Sequence, residues 1–167
     1  MVQRWLHWMI AALVSAMIGL GAATTATIDA TRSDLAAWHR TLGLALLVLG
    51  IVRLGVRLRR RPLPNPHLGR MEARGAAVVH AALYALVIAM PLVGWAADSA
   101  GGYPLELIGG WRAPALIGED LERFAVLRMA HRVAGYLVFA LVLLHVTGVL
   151  THALVKRNGT LRRMRSG

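Results

Sequence analysis

The amino-acid sequence predicts an all-α fold, a transmembrane four-helix bundle with both termini in the cytoplasm. Three observations carry that prediction. The 167 residues are 57% hydrophobic, with a mean hydropathy of +0.56. Four long segments are nearly free of charge: residues 5–28, 75–97 and 133–155 contain no Asp, Glu, Lys or Arg, and 37–56 is interrupted only by Arg40 and Arg53. Each is long enough to cross ~30 Å of hydrocarbon as a helix. The basic residues gather on alternate sides: Arg57, Arg59, Arg60, Arg61, Arg70 and Arg74 lie between segments two and three, with Glu72 the only acid among them, and Lys156, Arg157, Arg162, Arg163 and Arg165 close the chain. The other two connections are mixed, with Arg32 against Asp29 and Asp34, and Arg112, Arg123 and Arg128 against Asp98, Glu106, Glu119, Asp120 and Glu122. Cytoplasmic loops carry the Lys and Arg excess, so both termini and the middle connection are placed inside.

The net charge of +11 is therefore a signal of topology and of anionic lipid, not of nucleic acid. There is no cysteine. That removes disulfides, thiolate haem ligation, covalent c-type haem and iron–sulfur clusters together, leaving histidine, methionine or oxygen to hold any cofactor.

The predicted helices cover about residues 5–24, 37–57, 75–97 and 129–155, one domain over 1–167. The first apolar run is too long for the hydrophobic region of a signal peptide, and Trp5, His7 and Trp8 open it. The two tryptophans set His7 near the inner boundary. Ser33 or Asp34 is the expected N-cap of segment two. His39 follows Trp38 near the outer boundary, and Arg53 lies fourteen residues later on the same face. Arg53 either snorkels to the inner headgroups with Arg57 or pairs with a buried anion, because an uncompensated guanidinium facing lipid is costly. RRRPLPNPHLGR, residues 59–70, is a loop, since its prolines forbid a helix, and His67 within it is a solvated residue. Segment three holds His80 toward the inner side, with Pro91 expected to kink its outer part. The connection 98–128 is compatible with a short amphipathic helix over WRAPALIGEDLERF on the outer surface. Segment four is followed by a polar tail, KRNGTLRRMRSG.

A small repeat opens segments two and four. His39-Arg40-Thr41-Leu42-Gly43 and His131-Arg132-Val133-Ala134-Gly135 both begin at the outer boundary. In each, a glycine one turn below the histidine removes the side chain that would block a flat ligand, and an arginine follows at the water boundary.

Ionisable groups inside a bilayer are rare and usually functional, and every segment here carries at least one histidine. His39 and His131 share the outer depth. His7, His80, His145 and His152 compete for the inner one. His145 lies fourteen residues after His131, four turns and ~21 Å along one face, while by flanking charge His152 matches the shallow depth of His7 better than His145 does. Zinc chemistry normally has carboxylate company, and no Asp or Glu lies within the apolar spans; the same lack weakens a proton relay without cofactor. Haem b held by two neutral imidazoles accounts for the opposed histidines, the glycines and the boundary arginines together.

RWLHW at the start, WHRTLG and IVRL in segment two, HAALYALVIAMPLVG in segment three and LHVTGVLTHALVKRNGTLRRM from segment four onward give the chain a resemblance to the small bacterial cytochrome b561 proteins. These are four-helix di-haem membrane cytochromes related to the cytochrome b subunits of formate dehydrogenases and nickel-iron hydrogenases. The resemblance implies two haem b per chain in the bacterial inner membrane, the outer one ligated by His39 and His131 and the inner one by His7 and His145. Arg40, Gly43, Arg53, Arg132 and Gly135 are then the expected further contacts of the cofactors. His80 and His152 match two family histidines near the inner haem that belong to a quinone or proton-handling site, with Arg53 beside them. The stand-alone members imply oxidation of periplasmic superoxide and transfer of its electrons to ubiquinone. This chain departs from the pattern in its acidic outer connection and its short N-terminal tail. Two alternatives remain from other classes: a haem relay subunit of a larger dehydrogenase or hydrogenase, and a cofactor-free proton channel or transporter.

Overall fold

The computed structural model describes residues 2–60 and 69–155. His67, most of the proline-rich loop and the basic C-terminal tail lie outside them. Four helices dominate: α1 (Val2–Ala26), α2 (Thr31–Arg60), α3 (Arg70–Ala100) and α4 (Leu121–Leu150), the last continued by a π-helical turn, Thr151–Val155. All four are long and apolar enough to cross a membrane. The end of the bundle that carries the α1–α2 and α3–α4 connections is the outer end below, and the opposite end the inner.

Each helix overruns its apolar segment. α4 begins at Leu121, not near 129, because Asp120 caps it: the Asp120 carboxylate accepts a 3.0 Å hydrogen bond from the Arg123 N–H. The sequence expected for a separate amphipathic helix instead holds a two-residue strand, Arg112–Ala113, an irregular stretch and this first turn of α4. Hydrophobicity marks where a helix meets hydrocarbon, and polar turns extend it beyond that slab at no desolvation cost. α3 starts at Arg70, where Glu72 reaches back to accept from the Gly69 N–H at 3.2 Å. α2 starts at Thr31. Asp29, rather than Ser33 or Asp34, serves its first turn, accepting from the Thr31 hydroxyl at 2.6 Å and the Thr31 N–H at 2.9 Å. The bond from the hydroxyl, then that from the N–H, hold the Asp29 carboxyl below its ordinary pKa. α3 runs on through Pro91 as one helix.

The outer connection holds a feature that the sequence reading did not predict, a two-stranded antiparallel hairpin of β1 (Leu105–Glu106) and β2 (Arg112–Ala113). Gly109 and Gly110, at φ 93° and 80°, take the left-handed backbone its turn requires. The hairpin is strapped down: the Ile108 N–H donates to Thr41 Oγ1 of α2 at 3.0 Å, the Trp95 indole of α3 to the Pro114 carbonyl at 3.0 Å, and the Leu116 N–H to Ser99 Oγ at 3.1 Å. Leu105 and Ala113 are buried with Ala97, Ser99 and Ala100 beneath it.

The close-packed helix pairs are α1 with α2, α2 with α3 and α3 with α4. The buried centre of the bundle is apolar: Val14 of α1, Leu46 of α2 and Val138 of α4, with Val87 and Met90 of α3 among the side chains packed against them.

Candidate functional site

The four helices share one register of seven-residue steps. On α1 the series is His7, Val14, Gly21; on α2 it is His39, Leu46, Arg53; on α3 it is His80, Val87, Gly94; on α4 it is His131, Val138, His145. Seven residues are nearly two turns, so each series stays on one face. Because alternate helices run in opposite directions, the series stack as three layers. The middle layer is the apolar centre. The outer layer joins His39 and His131 with Gly21 and Gly94, and the inner layer joins His7, His80 and His145 with Arg53.

In the outer layer the rings of His39 and His131 stand with centroids 6.1 Å apart. His131 Nδ1 lies 3.2 Å from the Met90 carbonyl oxygen. His39 Nδ1 is buried and has no hydrogen-bond partner among the described residues. Both rings press on glycines: a Cβ on Gly94 would come within 3.1 Å of His131 Cε1, and one on Gly21 within 3.4 Å of His39 Cε1. The sequence reading missed these two glycines. Their signal was the same fourteen-residue interval, from His7 to Gly21 and from His80 to Gly94. Gly43 and Gly135, which the sequence did single out, face methionine ends instead: a Cβ there would meet Met17 Cε at 3.3 Å and Met90 Cε at 3.9 Å. Methionine is flexible enough to yield such space.

In the inner layer the rings of His7 and His145 are 6.3 Å apart, and His80 stands 5.2 Å from His145. Trp8 lies beside His7 at 5.5 Å. Arg53 donates through Nε to Tyr84 Oη at 2.9 Å and through Nη1 to the Gln3 carbonyl at 3.3 Å. Tyr84, one turn after His80, is a third residue that the sequence reading passed over. His152 lies beyond this layer in the π-helical turn, half-buried.

The arginines of the outer repeat are engaged elsewhere. Arg40 Nε donates to Asp98 at 2.8 Å, a pair about one-quarter exposed on both sides. Arg132 is exposed, with Nη2 3.2 Å from Met129 Sδ. Glu106 pairs with Arg112 and Asp120 with Arg123, so the acids and bases of the outer connection largely neutralise each other.

These positions bear on what the site can hold. A metal–imidazole bond of about 2 Å on each side, with about 1.1 Å from nitrogen to ring centre, sets two opposed imidazole centroids about 6 Å apart. The His39–His131 and His7–His145 separations fit that figure, and His80–His145 is shorter. Both fitting pairs span helices, α2 with α4 and α1 with α4, that are not among the close-packed pairs. A carbonyl only accepts, so His131 Nδ1 carries the proton and Nε2 keeps its lone pair, the arrangement usual for a ligating histidine. The buried, unpartnered His39 nitrogen likewise suits a ring whose bonding is completed by another group. Among the described residues no three His, Cys, Asp or Glu converge on one metal-ion site.

A family model described as prokaryotic cytochrome b561 matches residues 1–167. The chain is similar to cytochrome b561 homolog 2 of Escherichia coli strain K12, with 26% identity over 161 residues, which is 95% of this chain and 86% of that protein.

Proposed function

The chain belongs to the prokaryotic cytochrome b561 family, multi-pass membrane proteins of haem b electron transfer, and from that premise we propose that it carries electrons from a periplasmic donor, superoxide first, to membrane quinone. In this reading it holds two haem b, His39 and His131 ligating the outer and His7 and His145 the inner. The observation that supports it is the pair of ring separations, 6.1 and 6.3 Å, at two levels of α4. When bound, haem b supplies a reversible one-electron carrier at each level.

The chain's own residues do the rest. Met90 orients His131 through its carbonyl, and Val14, Leu46 and Val138 keep water from the layer between the two levels. Two superoxide anions leave as dioxygen and supply two electrons, and the quinone takes these up with two protons. His80, His152 and Arg53 are the quinone-side residues, and Tyr84 joins them through its bond to Arg53. His80, 5.2 Å from His145, is placed to hand on one of those protons. In this reading both termini lie on the cytoplasmic side of a bacterial inner membrane, which the charge distribution supports.

The test is a pyridine haemochrome assay on the purified protein followed by stopped-flow mixing with superoxide. About two haem b per chain, reduced by superoxide and reoxidised by added quinone, are expected. A colourless protein ends the reading and favours the cofactor-free channel.

One observation favours a second reading, the relay subunit fed by a protein donor. Tyr103, Ile108, Trp111 and Leu116 stand exposed on the outer connection, an apolar surface that a small anion does not use. Co-purification of a redox partner that reduces the haems faster than superoxide decides for it.

A further inference from the structure

Between α2 and α3, near the inner end, lies a cavity of about 390 Å³. Its walls are Ala77, Ala81 and Ala85 of α3 with Leu54 and Ile88, and its polar groups are Arg57 and Tyr84. No histidine lines it, and it adjoins the inner histidine level through the Tyr84 hydroxyl, which accepts from Arg53.

The charge at this place is unbalanced. The guanidinium carbons of Arg53 and Arg57 lie 5.8 and 5.3 Å from the centre of the same ring, that of Tyr84. Among the described residues the ion pairs are Arg40–Asp98, Arg112–Glu106 and Arg123–Asp120, so neither cation at Tyr84 is met by a carboxylate. Two cations at the edge of the hydrocarbon call for an anion. The polar groups also specify its chemistry. Tyr84 Oη accepts from Arg53 and keeps its own proton to donate, and Arg57 only donates. The site therefore offers one guanidinium and one hydroxyl donor, above a wall of small apolar residues that recur every fourth position on one helix face.

We propose that this cavity is a binding site for an anionic phospholipid, its phosphodiester on Arg57 and the Tyr84 hydroxyl and one acyl chain along Ala77, Ala81 and Ala85. A neutral quinone leaves the two cations uncompensated, whereas a phosphodiester neutralises one and is attracted by both. Basic pockets between membrane helices bind acidic headgroups for this reason.

The experiment uses the full-length protein in mild detergent, titrated with dioleoyl phosphatidylglycerol or dioleoyl phosphatidylcholine and read by native mass spectrometry. Wild type is expected to retain phosphatidylglycerol over phosphatidylcholine. Arg57→Gln should weaken phosphatidylglycerol binding about tenfold or more, as loss of a charge-assisted hydrogen bond does, and leave phosphatidylcholine unchanged. Arg57→Lys should keep most of the preference. Ala81→Leu, which fills the groove and touches no charge, should lose phosphatidylglycerol, and it carries the test if Arg57→Gln does not fold. Equal retention of both lipids by wild type, or undiminished phosphatidylglycerol binding by Ala81→Leu, overturns the proposal. Two competitors identify the source of the anion. Displacement of the lipid by millimolar inorganic phosphate assigns the site to free phosphate, and displacement by decylubiquinone assigns it to quinone; either result overturns the lipid assignment.

Discussion

His131 of α4 is tied to α3 through its Nδ1, 3.2 Å from the carbonyl oxygen of Met90. The bond does two things at once. It selects the tautomer with a free Nε2, and it holds the ring across from His39. A backbone carbonyl cannot be removed by substitution, so the consequence is tested at the rings. His131→Ala and His39→Ala are each expected to drop the haem content from about two to about one per chain, as are His7→Ala and His145→Ala for the other level. His80→Ala and His152→Ala should keep both haems and slow quinone reduction. The haemochrome assay on each purified variant separates these outcomes, and full haem content in His145→Ala would move the inner ligand to His152.

The glycines beside the rings give a graded test. A Cβ at Gly94 comes 3.1 and 3.2 Å from two atoms of His131, whereas one at Gly21 comes only to 3.4 Å from His39. Gly94→Ala is therefore expected to displace its ring and to cost about 1–3 kcal/mol as overpacking, with loss of the outer haem. Gly21→Ala should be close to neutral. Haem-to-protein ratio and thermal unfolding in detergent measure both; equal damage from the two substitutions would contradict the geometry.

At the outer surface, Asp98 neutralises Arg40. The pair is about one-quarter exposed, so its loss in Asp98→Asn should cost no more than about 1 kcal/mol in stability. The kinetic effect is larger. With Arg40 released, the outer end gains one positive charge, and reduction by superoxide is expected to speed up several-fold at low ionic strength and to return toward the wild-type rate in salt. Stopped-flow rates between low and high salt check this, and a rate indifferent to both charge and salt would point to a protein donor.

The apolar middle layer should behave as the mechanical centre of the bundle. Leu46 is 5% exposed and packs with Val14 and Val138. Leu46→Ala is expected to cost about 2–5 kcal/mol through lost packing, read as a lowered unfolding temperature, while leaving the visible spectrum of both haems unchanged. Loss of one haem alone would mean that the layer belongs to one level, not to both.

Much of this was legible in the sequence, for a physical reason. Hydrocarbon admits few polar groups, so the four apolar segments announce the spans, and the histidines within them stand out. The same reason explains the misplaced helix ends: beyond the slab, hydrocarbon no longer penalises charge, and Asp120 or Glu72 caps a turn that hydropathy does not mark. The hairpin of Leu105–Glu106 and Arg112–Ala113 has strands of two residues, too short for an alternation to show. Asp98 and Tyr84 were missed because their partners, Arg40 and Arg53, are 58 and 31 residues away, and such pairings depend on how the helices are set against one another. Gly21 and Gly94 were within reach, since the fourteen-residue step that linked His131 to His145 recurs on the helices that carry them.

The common seven-residue step makes the bundle a ruler with one graduation. A single inserted residue turns everything beyond it by about 100°, which would send a ring such as His145 out of its layer and toward lipid. A seven-residue insertion restores the facing but shifts the level by about 10 Å, out of reach of its partner on the neighbouring helix. Adapting this protein to a thicker bilayer thus requires matched insertions in all four helices at once, whereas the connections at either end can change length without disturbing the levels.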